Sequence, residues 1–437
     1  MSAPGYDSYR ESGVEWLGQV PSHWTIEKFR HRFRESSEKI ETDVVGPMLS
    51  VSGYRGIEIK EYDDENRRRR DDELVGYRIV RPGQLVVNTM WLNYAGLGVS
   101  AHEGHVSPAY RSYWIRPGLE GRYAHHLMRS SIYVQGYTRL LTGIRPNSLQ
   151  MSRDDLMEFP VVVPPLAEQA AIAAFLDRET GKINALVEAQ TRLIELLKEK
   201  RQAIISHAVT RGLDPAAPMK DSGVEWLGQV PAHWEVKPLR SFAKLITGLT
   251  PPSEDTSLYA DDAEGHPWLR PEDLDEQGLP STASRTLTDE GIALCRPVQA
   301  RSSLVCCIGT IGKVGFVNKP ATTNQQITAI QPSARHRFIY HALISARAEM
   351  EASAVGNVLR ILNSTRLGQI HLPLPPPEEA DAISAHIDCQ TAITDELCDH
   401  AEAAITLLQE RRAALISAAV TGKIDVRGLA PEQAEAA

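Results

Sequence analysis

The segment SGVEWLGQVPSHW (Ser12–Trp24) returns as SGVEWLGQVPAHW (Ser222–Trp234), with Ala232 for Ser22 as the one change. The offset is 210 residues (222 minus 12). Solenoid repeats run about 20–50 residues, so a period this long belongs to whole domains. The 437 residues fit about two to three domains. The chain therefore reads as two successive domains, each introduced by the same packing segment.

The repetition extends to the far border of each half. VPPLAEQAAIAAFLDRE from Val163 is answered by LPPPEEADAISAHIDCQ from Leu374, and KRQAIISHAVTRGLD from Lys200 by RRAALISAAVTGKID from Arg411. Each half thus runs from opener through a variable region to a Pro-Pro hinge and a long helix. Ile183, Leu186, Gln190, Leu193 and Leu197 step by 3, 4, 3, 4, the spacing of a coiled-coil seam. The second copy offers Leu397, Ala401, Ala404 and Leu408. Proline lacks the donor a sheet ladder needs, so Pro164-Pro165 and Pro375-Pro376-Pro377 end any strand before the helix. Gly212 and Gly422 stand where helix C-caps are expected. Between these borders, short β-like runs such as QLVVN (Gln84–Asn88) and KVGFV (Lys313–Val317) alternate with Gly, Pro and Asn. The two variable regions align poorly. A common framework carrying two different readers is expected.

The net charge of −9 argues against nucleic acid only if charge is spread evenly, and it is not. From Pro376 to Asp425 there are 3 Lys+Arg against 10 Asp+Glu, whereas Pro21–Pro160 is slightly basic. The five cysteines lack CxxC spacing, which supports neither a disulfide framework nor a zinc site. A reduced, cytoplasmic setting follows. No run of about 18 apolar residues occurs, so no membrane-spanning helix is expected.

The opener, the PPLAEQ helix entry, the KRQAIISHAVTRGLD exit and the tandem arrangement together resemble the specificity subunit of type I restriction-modification systems. GTIGKVG (Gly309–Gly315), TTNQQITAI (Thr322–Ile330), YRIVRPGQLVVNTM (Tyr77–Met90) and VSPAYR (Val106–Arg111) are similar to stretches of that family's target-recognition domains. The resemblance implies an α+β chain with two globular target-recognition domains in a pseudo-twofold tandem repeat. Each domain is followed by a long helix, and the two helices form an antiparallel coiled-coil spacer. The expected boundaries are 1–24 (framework), 25–163 (first recognition domain), 164–213 (helix), 214–234 (repeated framework), 235–374 (second recognition domain), 375–425 (helix) and 426–437 (tail). By the same resemblance the chain is non-catalytic, binds a bipartite double-stranded DNA target and docks two methylation subunits, which restriction subunits join. No cofactor is expected on this chain; S-adenosylmethionine belongs to the methylation subunits.

The residues agree that chemistry is sparse. No D/N/S-P-P-Y/F loop of an adenine methyltransferase and no phosphate loop is present. Glu58-Ile59-Lys60, with Asp43 upstream, is the one nuclease-like grouping, and a metal-dependent nuclease is the enzyme alternative. A solitary DNA-binding regulator is the other. His125-His126 reads as a pair on a helix surface.

Candidate DNA contacts are of several kinds. Arg67, Arg68, Arg69 and Arg70 form either a phosphate-gripping arm or a loop neutralised by flanking acids. Asn324, Gln325 and Gln326 have amides suited to adenine, and equally to strand-end turns. Arg145, Asn147, Arg360 and Asn363 precede the last strand of their domains, a placement that favours DNA contact. Asn88, Thr310 and Lys313 lie in the family-like stretches. Ile183, Leu186, Leu193, Leu197, Leu397 and Leu408 are assigned to the spacer and partner-binding helices. Trp16, Trp24, Trp226 and Trp234 repeat with the framework and are expected in the core.

Overall fold

The computed structural model describes residues 5–53, 55–62, 71–143, 150–260, 265–331, 334–356 and 359–429. The chain divides into two compact units, Met1–Gln190 with Ala404–Ala437, and Thr191–Ala403.

The repeated opener folds twice into the same object. Tyr9–Glu11 pairs antiparallel with Gln19–Pro21, and Met219–Asp221 with Gln229–Pro231. Ser12 Oγ accepts the Val14 N–H at 3.1 Å, and Ser222 Oγ that of Val224 at 3.1 Å. Gly13 and Gly223 sit at φ 76° and 70°, a left-handed turn that glycine enters without the Cβ penalty. The next strand then closes each unit. Thr25–Lys28 pairs with Pro160–Val163, and Glu235–Pro238 with His371–Leu374. The prolines after Val163 and Leu374 end that pairing, and helices run over Leu166–Arg211 and Pro377–Val420. Gly212 and Gly422, both at φ 72°, terminate them as left-handed caps.

The interiors align poorly in sequence yet share a topology. In the first unit a four-stranded antiparallel sheet has the order Phe33–Glu35, Tyr110–Ile115, Leu85–Asn88, Leu97–Val99. In the second the order is Leu245–Thr247, Ile327–Ile330, Ser303–Cys306, Val314–Phe316. Buried runs such as Leu85-Val86-Val87 and Leu304-Val305-Cys306 fill such a sheet from both faces. The insertions differ. The first unit adds a hairpin, Leu49–Ser52 with Gly56–Ile59. The second adds another sheet built from Tyr259–Ala260, Arg285–Leu287, His266–Leu269 and Thr322–Thr323.

Each core draws on both long helices. In the first unit Ile172, Phe175 and Leu176 cluster with Ile416, Ala419 and Val420, alongside Trp24, Tyr133 and Phe159. In the second, Ile205, Ala208 and Val209 cluster with Ala380, Ile383 and Ile387, alongside Trp234 and Phe338. The start of one helix lies with the end of the other each time, which is antiparallel packing.

The seam differs from the 3-4 pattern read from the leucines. Ile183, Ile194 and Leu197 are buried, with Val187, Gln190 and Arg201 half-buried between and beyond them. Leu186 and Leu193 are 51% and 41% exposed, and Leu397 is 45% exposed. Leu408 is half-buried. On the first helix Ile183, Ile194 and Leu197 turn inward, and Leu186, Leu193 and Leu196 turn outward. Arg201 belongs to the seam and pairs with Asp395 at 3.2 Å.

The duplication reaches single hydrogen bonds. The His23 ring bonds Glu168 at 2.7 Å, and that of His233 bonds Glu379 at 2.7 Å. His126 bonds Asp177 at 2.7 Å, and His341 bonds Asp388 at 3.0 Å. His126 is therefore buried beneath the long helix, not part of a surface pair, because its ring is needed to satisfy that carboxylate. Trp16 and Trp226 are both half-buried, but among the described residues only Trp16 stacks on an aromatic partner, Phe159.

One bond breaks the symmetry. Trp24 Nε1 donates to Glu168 at 2.9 Å, whereas the buried Trp234 Nε1 has no hydrogen-bond partner among the described residues. Glu168 thus holds two donors from a position 8% exposed, while Glu379 holds the exposed His233. Removing a carboxylate that satisfies a buried donor costs about 2–3 kcal/mol, and removing an exposed pair under about 1 kcal/mol. Urea unfolding should show Glu168→Ala as the more damaging variant. Equal losses would count against this account of the asymmetry.

Candidate nucleic-acid interface

Each unit carries a cleft in which none of the described lining residues is acidic. In the first unit the cleft encloses about 360 Å³ between the hairpin and the end of the central strand, and Lys60, Tyr62, Asn88, Met90, Trp91 and Tyr110 line it. Lys60 Nζ lies 5.1 Å from the centre of the Tyr62 ring. In the second unit a cleft of about 970 Å³ opens in front of the added sheet, with Thr250, Ser253, Tyr259, Trp268, Ser284 and Arg285 among its walls. Hydroxyls, amides and single cations without carboxylates are the groups that contact phosphate and base edges.

The loop after the central strand explains the character of the first cleft. Asn88 is buried at the strand end, where its Oδ1 accepts the Met90 N–H at 3.2 Å and its side chain bonds Tyr110. Trp91, Gly96 and Tyr94 then fold back through Trp91 N–H to Asn88 O, Gly96 N–H to Trp91 O and Tyr94 N–H to Trp91 O. Leu92 is fully buried and anchors the loop, leaving Met90, Trp91 and Tyr94 at 38%, 55% and 62% exposure. Ala95 is held at φ 54°, a left-handed conformation that costs a non-glycine residue about 1–2 kcal/mol.

Arg129 fixes the loop from behind. Its guanidinium donates to the carbonyls of Ser52 and Gly53 in the hairpin turn and of Ala95 and Leu97 beside the loop. Burial, reinforced by Arg412, lowers its pKa to about 10. A Cβ on Gly53 would meet Tyr94 O at 2.4 Å, so only glycine permits this close approach of turn and loop. His125 sits beside the same turn, its Nδ1 accepting the Val99 N–H at 3.2 Å. Burial, followed by the charge of Arg129, pushes its pKa down to about 3.

A histidine kept neutral in the fold but protonated when unfolded makes stability depend on pH in one direction. The contribution is intact above about pH 6.5 and drains as pH falls toward 3. His125→Gln, which keeps an acceptor for Val99, should recover about 1–2 kcal/mol of the stability lost between pH 7 and 4.5. Unfolding curves at the two pH values test this; parallel losses in variant and parent would exclude His125 as a source.

The sequence-derived candidates fall into three groups. Arg67–Arg70, Arg145 and Asn147 lie outside the described residues. Several others are structural. Asn324 is buried and exchanges hydrogen bonds with Gln326. Asn363 caps the helix Ser364–Gln369 by accepting the Arg366 N–H at 2.9 Å. Lys313 Nζ donates to Pro271 O at 3.0 Å, and Arg360 is bound to the carbonyls of Glu351 and Ala354. Thr310 and Gln325 remain exposed. Gln325 accepts from Thr250 on the wall of the second cleft, and Thr310 stands in the loop equivalent to that of Trp91. Glu58 pairs with Arg55 at 3.2 Å, and among the described residues no group of three or more His, Cys, Asp or Glu forms a metal-binding cluster. No helix among the described residues is long and apolar enough to cross a membrane. Sequence reading missed Trp91, Tyr94, Tyr110 and Arg285; the aromatic WLNY after a strand was the available signal.

Residues 231–416 match the family described as the type I restriction modification DNA specificity domain. This segment belongs to that specificity family. The first half carries the same framework residues through the repeat. A putative type I restriction enzyme MjaX specificity subunit of Methanocaldococcus jannaschii is 24% identical over 289 residues, 64% of this chain and 63% of that relative. The aligned stretch therefore spans less than two thirds of the relative's length. Among solved structures, one described under complex assembly and conformational transition of the type I R-M system aligns with a TM-score of 0.73 at 17% identity. It covers 92% of this chain and 99% of its own. The HsdS subunit from Thermoanaerobacter tengcongensis aligns at 0.51 and 17% identity, over 92% and 98%. These likenesses show a specificity-subunit fold: mixed helix and strand, with the two long helices.

Proposed function

We propose that this chain reads a split duplex DNA target, one half through each unit, as the non-catalytic specificity subunit of a type I restriction-modification complex. The observation that supports it most is a framework whose strand pairs, glycine caps and histidine–carboxylate bonds recur beneath loops of different chemistry. The loop Thr89–Gly96 presents tryptophan and tyrosine, whereas its counterpart after Cys306 presents Gly309 and Thr310. One scaffold with two tips suits two unlike half-sites.

The outward apolar residues of the helices support partner docking. Leu186, Leu193 and Leu196 on the first helix, and Ile393, Leu397 and Leu407 on the second, are between 41% and 65% exposed. Exposed apolar faces of this kind mark interaction surfaces. Methylation subunits occupy them in this reading and bring S-adenosylmethionine; restriction subunits join that assembly.

Co-expression with the methylation subunit of its system, followed by genome-wide mapping of methylated adenines, tests the proposal. A motif of two specified parts around an unread gap is expected. An uninterrupted motif overturns it, and DNA binding without any methylation favours a solitary regulator.

A further inference from the structure

The loop Thr89–Gly96 spends conformational strain to keep two large aromatic side chains in water. Apolar burial is the main driving force of folding, so a loop that buries Leu92 yet turns Trp91 and Tyr94 outward is built for something else. Their rings stand 6.0 Å apart at 64°. The left-handed Ala95, the Arg129 clamp and the close approach of Gly53 to Tyr94 hold them in place before any partner arrives. Such preorganisation lowers the ordering cost of binding.

The occupant follows from the chemistry beside the loop. The adjoining cleft offers the Lys60 ammonium and the hydroxyls of Tyr62 and Tyr110, and none of its described lining residues is a carboxylate. A cation next to hydroxyl and amide groups suits phosphate and base edges. Apolar side chains projected beside such groups act on duplex DNA as wedges at a base step or as cover over sugars. The second unit has no aromatic residue in the equivalent loop, whose Ile311 is buried.

We propose that Trp91 and Tyr94 are specificity-determining residues, a rigid aromatic wedge with which the first unit engages its half-site while Lys60 holds a neighbouring phosphate. This rests on the DNA-recognition reading above. It adds that the two halves of the target are read by different means.

The test uses the full chain in complex with its methylation subunits. Probes are a 40-base-pair duplex carrying the mapped target and a duplex of equal length without it. Trp91→Ala and Tyr94→Ala should each weaken binding of the target about tenfold to 100-fold. Trp91→Phe and Tyr94→Phe should recover most of it. The salt dependence separates the roles: Lys60→Gln lowers the slope of log K against log salt by about one, and Trp91→Ala leaves it unchanged. Association with methylation subunits in the absence of DNA should equal that of the parent. Alanine variants that bind the target like the parent overturn the proposal. So does a loss confined to subunit assembly, which would make the loop a protein-docking site. A parent complex that fails to distinguish the two duplexes instead refutes the DNA-recognition reading itself.

Discussion

A chimera carrying residues 25–160 of another specificity subunit should direct its methylation subunits to a target altered in one half and unchanged in the other. The structure favours the graft because its ends lie together: Thr25–Lys28 and Pro160–Val163 are partners in one ladder. The incoming segment must still supply a histidine for Asp177 and aromatic residues against Trp16, which His126, Tyr133 and Phe159 provide here. Each mismatched base pair typically costs about 1–3 kcal/mol, so the original half-site should be lost outright, not merely weakened. Methylation mapping reads the result. A change in both halves at once would mean that recognition is shared between the units.

The second large effect concerns spacing. The chain crosses between its compact units at Gln190–Thr191 and at Ala403–Ala404, each time within a long helix. Four residues added at both crossings lengthen each helix by about 6 Å, and one base pair rises about 3.4 Å. The gap between half-sites should grow by one or two base pairs, with both half-sites retained. Four residues amount to a stutter, which unwinds a coiled coil locally and keeps its seam. Inserting at the crossings also spares the Arg201–Asp395 pair, whose two residues both lie inside the second unit. An unchanged gap would show that the helices do not set the spacing.

Much of the framework was legible because it is written twice. The openers, the proline hinges, the helix-capping glycines and both long helices follow from residues whose backbone preferences are strong. The seam was misread at Leu186 and Leu193 because each lies one residue from the buried position, and Val187 and Ile194 are equally apolar. Sequence spacing alone does not say which of two neighbouring apolar residues turns inward. The shared sheet of the variable regions was invisible, since a fully buried strand accepts many combinations of Val, Leu, Ile and Cys. The candidate site fared worse for a related reason. Asn363 at a helix N-cap and Asn324 in a turn show the same residue types that would read adenine, and whether the amide is taken up by a neighbour two or three residues on decides between the roles. Trp91 was passed over because exposure is a property of the folded loop, fixed by Arg129 from a helix 38 residues further on (129 minus 91).

The shared cores have a bearing on ancestry. A chain ending near residue 215 would leave Ile172, Phe175 and Leu176 without the helix end that now covers them, and would expose the matching end of its own helix. Two identical chains of that length could each lend the other the missing piece. Such a pair would be bound to read one half-site twice. Under the proposed reading, joining two such copies in a single gene would let a mutation in one loop stand without appearing in the other, and would free the two parts of the target to diverge.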